Sequence, residues 1–192
     1  MNYLVPKKLV LIGASTGGPG QIEKIINALP SLDTTSIVIA QHMAVGFMPS
    51  FAKRLQEKHI NPISVAQDND YLENGNIYVC SGATSISKNG LNYVFSQKES
   101  SANAFNPDIN TLFGSFLPYS KDFDILSIIL TGIGNDGVQA CKMLEKNGSS
   151  CITESESSAI VDGMPSRARK EVRNIKVLDI SQIVDSIREF CN

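Results

Sequence analysis

Short apolar runs recur along the chain, and most of them are separated by segments with helical periodicity. Several runs, such as the one after Lys8, are continuously apolar rather than alternating, which is typical of strands covered on both faces. The pattern predicts seven strands: Lys8–Gly13, Ser36–Gln41, Asn61–Ala66, Asn76–Cys80, Ile125–Leu130, Cys151–Glu154 and Ile175–Ile180. Strands that alternate with helices predict an α/β fold with a doubly wound, mostly parallel, Rossmann-like sheet and helices on both faces.

Five segments carry apolar residues at helical spacing. The stripes are Ile22, Ile25, Ile26 and Leu29; Phe51, Ala52 and Leu55; Leu112, Phe113 and Phe116; Val138, Cys141, Met143 and Leu144; and Ile183, Val184 and Ile187. The stretch Gly82–Gln97 breaks this rhythm, because its Asn89–Gly90 pair lies between two strand-like runs and predicts a small β-hairpin. The polar stretch Lys98–Asp108 is predicted to be the least ordered. We see no linker and expect one domain over residues 1–192.

Composition and charge exclude several classes of function. The 192 residues are 42% hydrophobic and 19% charged, as in a soluble globular protein, and the net charge of −2 favours neither nucleic acid nor an anionic membrane as partner. The apolar runs are too short for membrane insertion, and the first residues do not resemble a signal peptide, so we expect a cytoplasmic protein. The four cysteines form no C-x-x-C pair, which predicts free thiols and no metal site.

The loop that follows the first predicted strand, Gly13–Gly20, is rich in glycine. Such a loop could bind a phosphate group or could present a nucleophile. A dinucleotide-binding loop reads G-x-G-x-x-G, but here Ser15 stands where the second glycine lets the pyrophosphate approach. Gln41–His42 occupies the region where an acidic residue would bind the ribose. Pro19 stands where a Walker-type loop has lysine. The sequence therefore disfavours a nucleotide cofactor.

Ser15 lies in a G-x-S-x-G motif between a predicted strand and a predicted helix. Glycines in such a motif allow a sharp turn that exposes the serine hydroxyl above the sheet edge. The free N–H groups at the start of the helix point into the same space, where an oxyanion could form. A serine in this position also commonly caps the helix. At this point the motif leaves both roles open.

A serine nucleophile needs a base and a group that orients the base, and the chain has only two histidines. His42 ends the second predicted strand, at the edge that Ser15 occupies if the two strands are neighbours. His59 follows a charged amphipathic helix and is predicted to be solvated. Asp136 is either the orienting carboxylate or an N-cap of the helix that starts near Gly137.

The order of these residues restricts the possible triads. No histidine follows residue 59, so the order Ser…Asp…His of α/β-hydrolases is impossible with Asp136. A triad must run Ser15, His42, Asp136. Each residue has an ordinary structural explanation, but those explanations do not account for three such residues on strand-end loops of one sheet.

Four separated motifs resemble the catalytic domain of the chemotaxis protein-glutamate methylesterases, the CheB family. They are IGASTGGPG around Ser15, QHM with GFMPSFAKRL behind it, LTGIGNDG before Val138, and IVDGMP at Ile160–Pro165. The resemblance covers nearly the whole chain, in the order and spacing of the family. It implies that Ser15, His42 and Asp136 form a catalytic triad.

The implied activity is hydrolysis of glutamate methyl esters on the cytoplasmic helices of chemoreceptors, often with deamidation of glutamines there. Neither a metal nor a cofactor is required. Backbone N–H groups near Thr16, His42 or Ile133 are the candidates for the oxyanion hole. Met164 is, with Phe47 and Met48, an apolar residue that either lines the cleft or belongs to the core.

The chain also departs from the family pattern. Ile133 replaces the usual methionine, Asn110 stands where aspartate is usual, and TESESSAIV (153–161) replaces the usual AQDExTSVV, changes that we expect to affect substrate recognition. Members usually carry an N-terminal receiver domain, whereas the first strand here begins by Lys8. We therefore expect a receiver-less form or an isolated catalytic domain, with an active site that is open by default.

Two basic clusters could form a rim that attracts acidic receptor helices, or could be ordinary solvated helix faces. They are Lys53 and Arg54, and Arg167, Arg169 and Lys170. A rival to the esterase hypothesis is a catalytically idle adaptor that binds receptors through the same fold. The presence of all three triad residues argues against that rival.

Overall fold

A seven-stranded sheet forms the centre of the structure, a computed structural model that describes residues 4–98 and 106–192. Its strands are β1 (Lys8–Ala14), β2 (Thr35–Gln41), β3 (Ile63–Val65), β4 (Ile77–Val79), β7 (Asp124–Ile129), β8 (Ser150–Glu154) and β9 (Ile175–Leu178). A separate hairpin contains β5 (Ala83–Asn89) and β6 (Asn92–Lys98). The helices are α1 (Gly18–Ala28), α2 (Met48–Gln56), α3 (Ile109–Ser115), α4 (Val138–Lys146), α5 (Gly163–Glu171) and α6 (Ile180–Cys191).

All neighbouring strands of the large sheet pair in parallel, in the order β3-β4-β2-β1-β7-β8-β9. The chain builds outward from β1 first on one side, through β2, and later on the other side, through β7. Strand order therefore reverses beside β1, and a crevice forms at the carboxyl ends of the strands at such a point. The predicted doubly wound α/β fold is confirmed.

Helices cover both faces of the sheet and create two apolar layers. On one face α1, α2 and α6 pack on the sheet through residues such as Ile25, Phe51 and Ile187. On the other face α3, α4, α5 and the hairpin contribute residues such as Phe113 and Phe95. Because β1 and β2 are buried along almost their whole length, their sequences read as continuous apolar runs.

The hairpin is confirmed, but its turn lies one residue later than predicted. Asn89 pairs with Asn92, so the turn residues are Gly90 and Leu91 rather than Asn89 and Gly90. Gly90 has a φ of 63°, as the first central residue of a type II′ turn requires, and glycine adopts it without strain. Most of the predicted poorly ordered stretch, Lys98–Asp108, lies outside the described residues.

Several other predictions are wrong in detail. Helix α5 was not among the predicted apolar stripes, because its sequence is dominated by polar residues and it buries only Met164, Pro165 and Ala168. Met143 is partly exposed rather than part of the apolar stripe of α4. The last predicted strand ends at Leu178, and Ile180 begins α6 after an Asp179 capping box.

The prediction of a solvated His59 is also wrong. Helix α2 already ends at Gln56, and His59 is buried in the turn that follows. Its Nδ1 accepts a hydrogen bond from the Asn61 N–H at 3.1 Å, and burial lowers the pKa of the imidazole. His59 is therefore a neutral structural residue.

Within the ranges 4–98 and 106–192, no helix has the length and hydropathy needed to cross a membrane.

The two layers predict how core substitutions affect stability. Ile25 is fully buried in α1, whereas Ile60 is 81% exposed, so the same change to alanine tests burial directly. Ile25→Ala should lower the free energy of unfolding by about 2–5 kcal/mol, through lost burial and a residual cavity. Ile60→Ala should change it by no more than about 0.5 kcal/mol. Urea unfolding followed by circular dichroism measures both, and equal losses would contradict this description of the core.

Candidate active site

Ser15 lies in the turn between β1 and α1, above the carboxyl edge of the sheet. The N-cap of α1 is Gly17, whose φ of 83° requires a residue without a side chain, and no side chain caps this helix. Ser15 instead accepts a hydrogen bond from the Gly18 N–H at its carbonyl, at 2.8 Å. The hydroxyl is therefore not used as a helix cap.

The structure brings the Ser15 hydroxyl, the His42 imidazole and the Asp136 carboxylate together in one chain of hydrogen bonds. His42 Nδ1 lies 3.1 Å from Ser15 Oγ, and His42 Nε2 lies 2.8 Å from Asp136 Oδ2. His42 directly follows β2, and Asp136 lies in the loop between β7 and α4. Both strands are neighbours of β1, so the sheet topology places the three residues at one edge.

Asp136 is almost fully buried and accepts more hydrogen bonds than the one from histidine. Its Oδ2 also accepts the Ile109 N–H at 2.8 Å, and its Oδ1 accepts the Asn110 N–H at 3.0 Å. Burial by itself would raise the pKa of this carboxyl, but the bonds from His42, Ile109 and Asn110 outweigh burial and lower it. Asp136 is therefore a carboxylate at neutral pH, and it does not cap α4, whose N-cap is Gly137.

An ionised Asp136 determines the tautomer of the histidine. A carboxylate only accepts hydrogen bonds, so Nε2 of His42 must carry the proton and donate it to Oδ2. In the neutral form of the imidazole, the unprotonated nitrogen is therefore Nδ1, which faces the hydroxyl of Ser15. This arrangement lets His42 accept the proton of Ser15.

The three candidate oxyanion donors differ in whether their N–H groups already donate a hydrogen bond. The His42 N–H donates to the Ala14 carbonyl at 2.9 Å and is not available. Within the described part of the chain, the N–H groups of Thr16 and Ile133 have no hydrogen-bond acceptor. Both lie in loops next to Ser15, so these two remain candidates.

Two residues that support the site were not predicted from the sequence. The buried Gln41 side chain donates through Nε2 to the carbonyls of Ser15 and His42, both at 2.9 Å, and so links the loops that carry these two residues. Ile109 contributes only its backbone N–H, which no side-chain motif reveals. Gln41 had a usable signal, because it is a polar residue at the end of an otherwise apolar strand.

Apolar side chains surround the site, and the predicted candidates divide between cleft and core. Met48 and Met164 are fully buried and belong to the core, whereas Phe47 and Ile133 are about two thirds exposed (66% and 65%). Ile160 is equally exposed, at 66%, and packs against the Gly17 turn. The site therefore has an exposed apolar border.

A pocket of about 350 Å³ opens beside His42. It is lined by Met43, Phe47, Ser50, Phe51 and Arg54. Arg54 stacks near the Phe51 ring and pairs with Glu23 at 3.3 Å.

The basic clusters are only partly free to attract a partner. Arg169 pairs with Asp162 at 2.5 Å, and Arg167 lies 3.9 Å from Glu171. Among the residues that the structure covers, Lys53 and Lys170 form no ion pair and are exposed. Of the five residues in the two basic clusters, these two lysines are therefore the ones that no described acidic residue neutralises.

No group of three or more His, Cys, Asp or Glu side chains suited to a metal ion occurs in the described ranges. Cys80, Cys141, Cys151 and Cys191 are free thiols, as predicted.

The hydrogen bonds of Asp136 predict a pH-dependent contribution to stability. A lowered pKa means that the stabilisation is complete above pH 4, the ordinary range of an aspartate, and is lost as the pH falls through the folded-state pKa. Asp136→Asn should therefore unfold about 1–3 kcal/mol more easily than the unchanged protein at pH 7, and this difference should shrink on acidification to about pH 3. Urea unfolding at a series of pH values measures the effect.

Asp33→Asn is the matched control, because Asp33 is exposed and makes no hydrogen bond or ion pair with a described residue. Its stability should follow that of the unchanged protein at every pH. A constant difference between Asp136→Asn and the unchanged protein from pH 7 to pH 3 would contradict an ionised, hydrogen-bonded carboxylate.

Comparisons with known proteins agree with this architecture over almost the whole chain. The chain is 36% identical over 192 residues to "Protein-glutamate methylesterase/protein-glutamine glutaminase 2" of Carboxydothermus hydrogenoformans, covering 96% of this chain and 53% of that protein. It is 33% identical over 178 residues to a similarly named protein, number 1, of Saccharophagus degradans, covering 92% and 48%. The chain thus spans about half the length of the curated relatives it matches.

A solved structure and a family description point the same way. The crystal structure of the Thermotoga maritima CheB methylesterase catalytic domain superimposes with a TM-score of 0.87 at 28% identity, covering 96% of this chain and 99% of that one. The sequence description of CheB methylesterase matches residues 10–187. The resemblance seen in the four motifs is confirmed, and the chain belongs to the CheB methylesterase family.

Proposed function

We propose that this chain is a serine hydrolase that demethylates glutamate methyl esters on chemoreceptors during chemotactic adaptation and also deamidates glutamine side chains. The observation that carries the proposal is the chain of hydrogen bonds from Ser15 Oγ through His42 to Asp136. The comparisons support the proposal, because several relatives share the name protein-glutamate methylesterase/protein-glutamine glutaminase.

The first half of the reaction transfers the glutamyl group to the enzyme. Ser15 Oγ attacks the ester carbonyl carbon while Nδ1 of His42 takes the hydroxyl proton. Asp136 keeps the proton on Nε2 and stabilises the imidazolium. The tetrahedral intermediate then collapses, the bond to the methoxy oxygen breaks, and His42 returns the proton to that oxygen, so methanol leaves.

The second half releases the product. A water molecule attacks the glutamyl-serine ester, again with His42 as the base, and the C–O bond to Ser15 breaks. The products are a free glutamate side chain and the regenerated hydroxyl. With a glutamine side chain ammonia leaves in place of methanol, so one site serves both reactions.

The developing oxyanion needs donors that are already oriented. The free N–H of Thr16, at the start of α1, and the N–H of Ile133, across the crevice in the β7–α4 loop, are the groups that we assign to this role. The positive end of α1 adds to the same field. Loss of one such donor typically costs about 3–4 kcal/mol of transition-state stabilisation.

Substrate binding would involve the border of the site. Ile133 and Ile160 are exposed apolar residues next to the Ser15 turn, and Phe47 is exposed in the loop that follows His42. Lys53 and Lys170 are exposed and form no ion pair with a described residue. This mixed border suits a protein substrate that presents apolar and acidic side chains together. We propose that it receives the cytoplasmic helices of chemoreceptors, and that the enzyme therefore acts in the cytoplasm.

An idle adaptor is the less favoured alternative. A binding protein gains nothing from a serine hydroxyl that lies within hydrogen-bond distance of a histidine whose other ring nitrogen is held by Asp136.

Labelling with a serine-directed fluorophosphonate tests the nucleophile. The reagent should modify Ser15, with no modification in Ser15→Ala and a reduction of at least about 10³-fold in rate in His42→Ala, because the base is lost. Mass spectrometry of the digested adduct identifies the labelled residue. Methanol release from methylated receptor membranes then tests the substrate.

His59→Ala is the matched histidine control. It should lower stability, because His59 is buried, but should label at the normal rate per folded molecule. Equal damage from His59→Ala and His42→Ala would show that His42 is not the base. Tight receptor binding without any labelling of Ser15 would favour the adaptor.

A further inference from the structure

A second buried carboxylate lies beneath the nucleophile turn and has no role in the mechanism above. Asp136 and Glu154 are the two acidic residues that are buried in the described part of the chain. Glu154 ends β8 and is fully buried. Ionised carboxylates are rarely buried without full compensation, so its surroundings are informative.

Three donors converge on the Glu154 side chain. Its Oε1 accepts from Gln21 Nε2 at 2.6 Å and from the Ser158 hydroxyl at 2.8 Å. Its Oε2 accepts from the Thr131 backbone N–H at 2.9 Å. A group surrounded by donors is suited to the ionised, acceptor-only form.

Thr131 connects Glu154 to the turn that contains Ser15 and Thr16. Its carbonyl accepts the Ser15 N–H at 2.9 Å, and its hydroxyl donates to the Thr16 carbonyl, also at 2.9 Å. The next residue, Gly132, packs so closely that an added methyl group would lie 2.6 Å from Ser15 Cβ. A displacement of Thr131 therefore moves Ser15 directly.

We infer that Glu154 is a positioning residue whose ionised carboxylate holds Thr131, and through it the Ser15 turn, in the reactive geometry. Protonation of Glu154 weakens the acceptor for the Thr131 N–H and introduces a fourth donor into a site already occupied by donors. The turn then loosens and the nucleophile loses reactivity. The inference rests on the proposed role of Ser15 as nucleophile, but not on the identity of the substrate.

The surroundings of Glu154 make its carboxyl easier to protonate than that of an ordinary glutamate. Burial raises its pKa above that of an ordinary glutamate, and the hydrogen bonds from Thr131, Ser158 and Gln21 offset this only in part. The charged groups on the packed elements are Lys24 on α1, Arg169 on α5 with its partner Asp162, and Asp179 before α6. Lys24 favours ionisation, and Arg169 donates to the Glu154 carbonyl rather than to its carboxylate.

Two substitutions of Glu154 distinguish the effect of its acceptor oxygen from the effect of its negative charge. Glu154→Gln keeps the shape and one acceptor oxygen for the Thr131 N–H. Its amide nitrogen then faces Gln21, whose amide must flip and give up its contacts with the Ser158 carbonyl and with Lys24. Glu154→Leu removes the acceptor and leaves the Thr131 N–H buried and unpaired. Glu156→Gln is the matched control, because Glu156 is an exposed glutamate two residues further along the chain.

The experiment measures the rate constant of fluorophosphonate labelling of Ser15 between pH 4 and pH 9. Unchanged protein should lose reactivity on acidification more steeply than a single protonation allows, because His42 and Glu154 must both be deprotonated. Glu154→Gln should remain within about threefold at pH 8, follow a single protonation, and label faster than the unchanged protein at the acid end. Glu154→Leu should label roughly 10- to 100-fold more slowly at every pH. Glu156→Gln should reproduce the unchanged profile.

Two results would overturn the inference. One is an acid limb that is equally steep with Glu154→Gln and with the unchanged protein. The other is normal labelling by a folded Glu154→Leu variant, with folding checked by circular dichroism; if that variant does not fold, the profile of Glu154→Gln decides alone. Labelling without methanol release would reject the proposed substrate and leave this inference standing, whereas no labelling of the unchanged protein would reject both.

Discussion

The parallel pairing of β2, β1 and β7 is the constraint on which the rest of the site depends. Because the three strands run in one direction, their carboxyl ends bring Ser15, His42 and Asp136 to one edge from positions far apart in the chain. Burial of these strands on both faces fixes their register, and a shift of one residue would turn the following loops away from one another. The chemistry of the site is thus a consequence of core packing.

Much of this arrangement could be predicted from the sequence because the relevant signals are local. Continuous apolar runs mark buried parallel strands, and the glycine-rich turn around Ser15 marks the loop that carries the serine. The near absence of histidine then left few possible bases. The fold and the candidate residues followed from these features, and the family followed from the resemblance carried by four separate motifs.

Other features could not be predicted because they depend on tertiary contacts. Helix α5 has few apolar residues, and it forms because Met164 and Ala168 pack on the sheet side while the rest faces solvent. His59 is surrounded by charged residues in the sequence, yet the turn after α2 buries it. The hydrogen bonds from Ile109 and Asn110 to Asp136 use backbone groups of a helix 26 or more residues away, and such groups have no side-chain signature.

Asp136 also satisfies the N-terminus of a helix elsewhere in the chain, because it accepts the N–H groups of Ile109 and Asn110 at the start of α3. One negative charge thereby orients the imidazole and completes the hydrogen bonding of a structural element. Substitutions that abolish activity therefore differ in how much they destabilise the fold. A descendant that became a pure binding protein could discard the serine hydroxyl with little structural penalty, but would keep the aspartate for the sake of the fold, so an aspartate at this position is by itself a poor marker of an active enzyme.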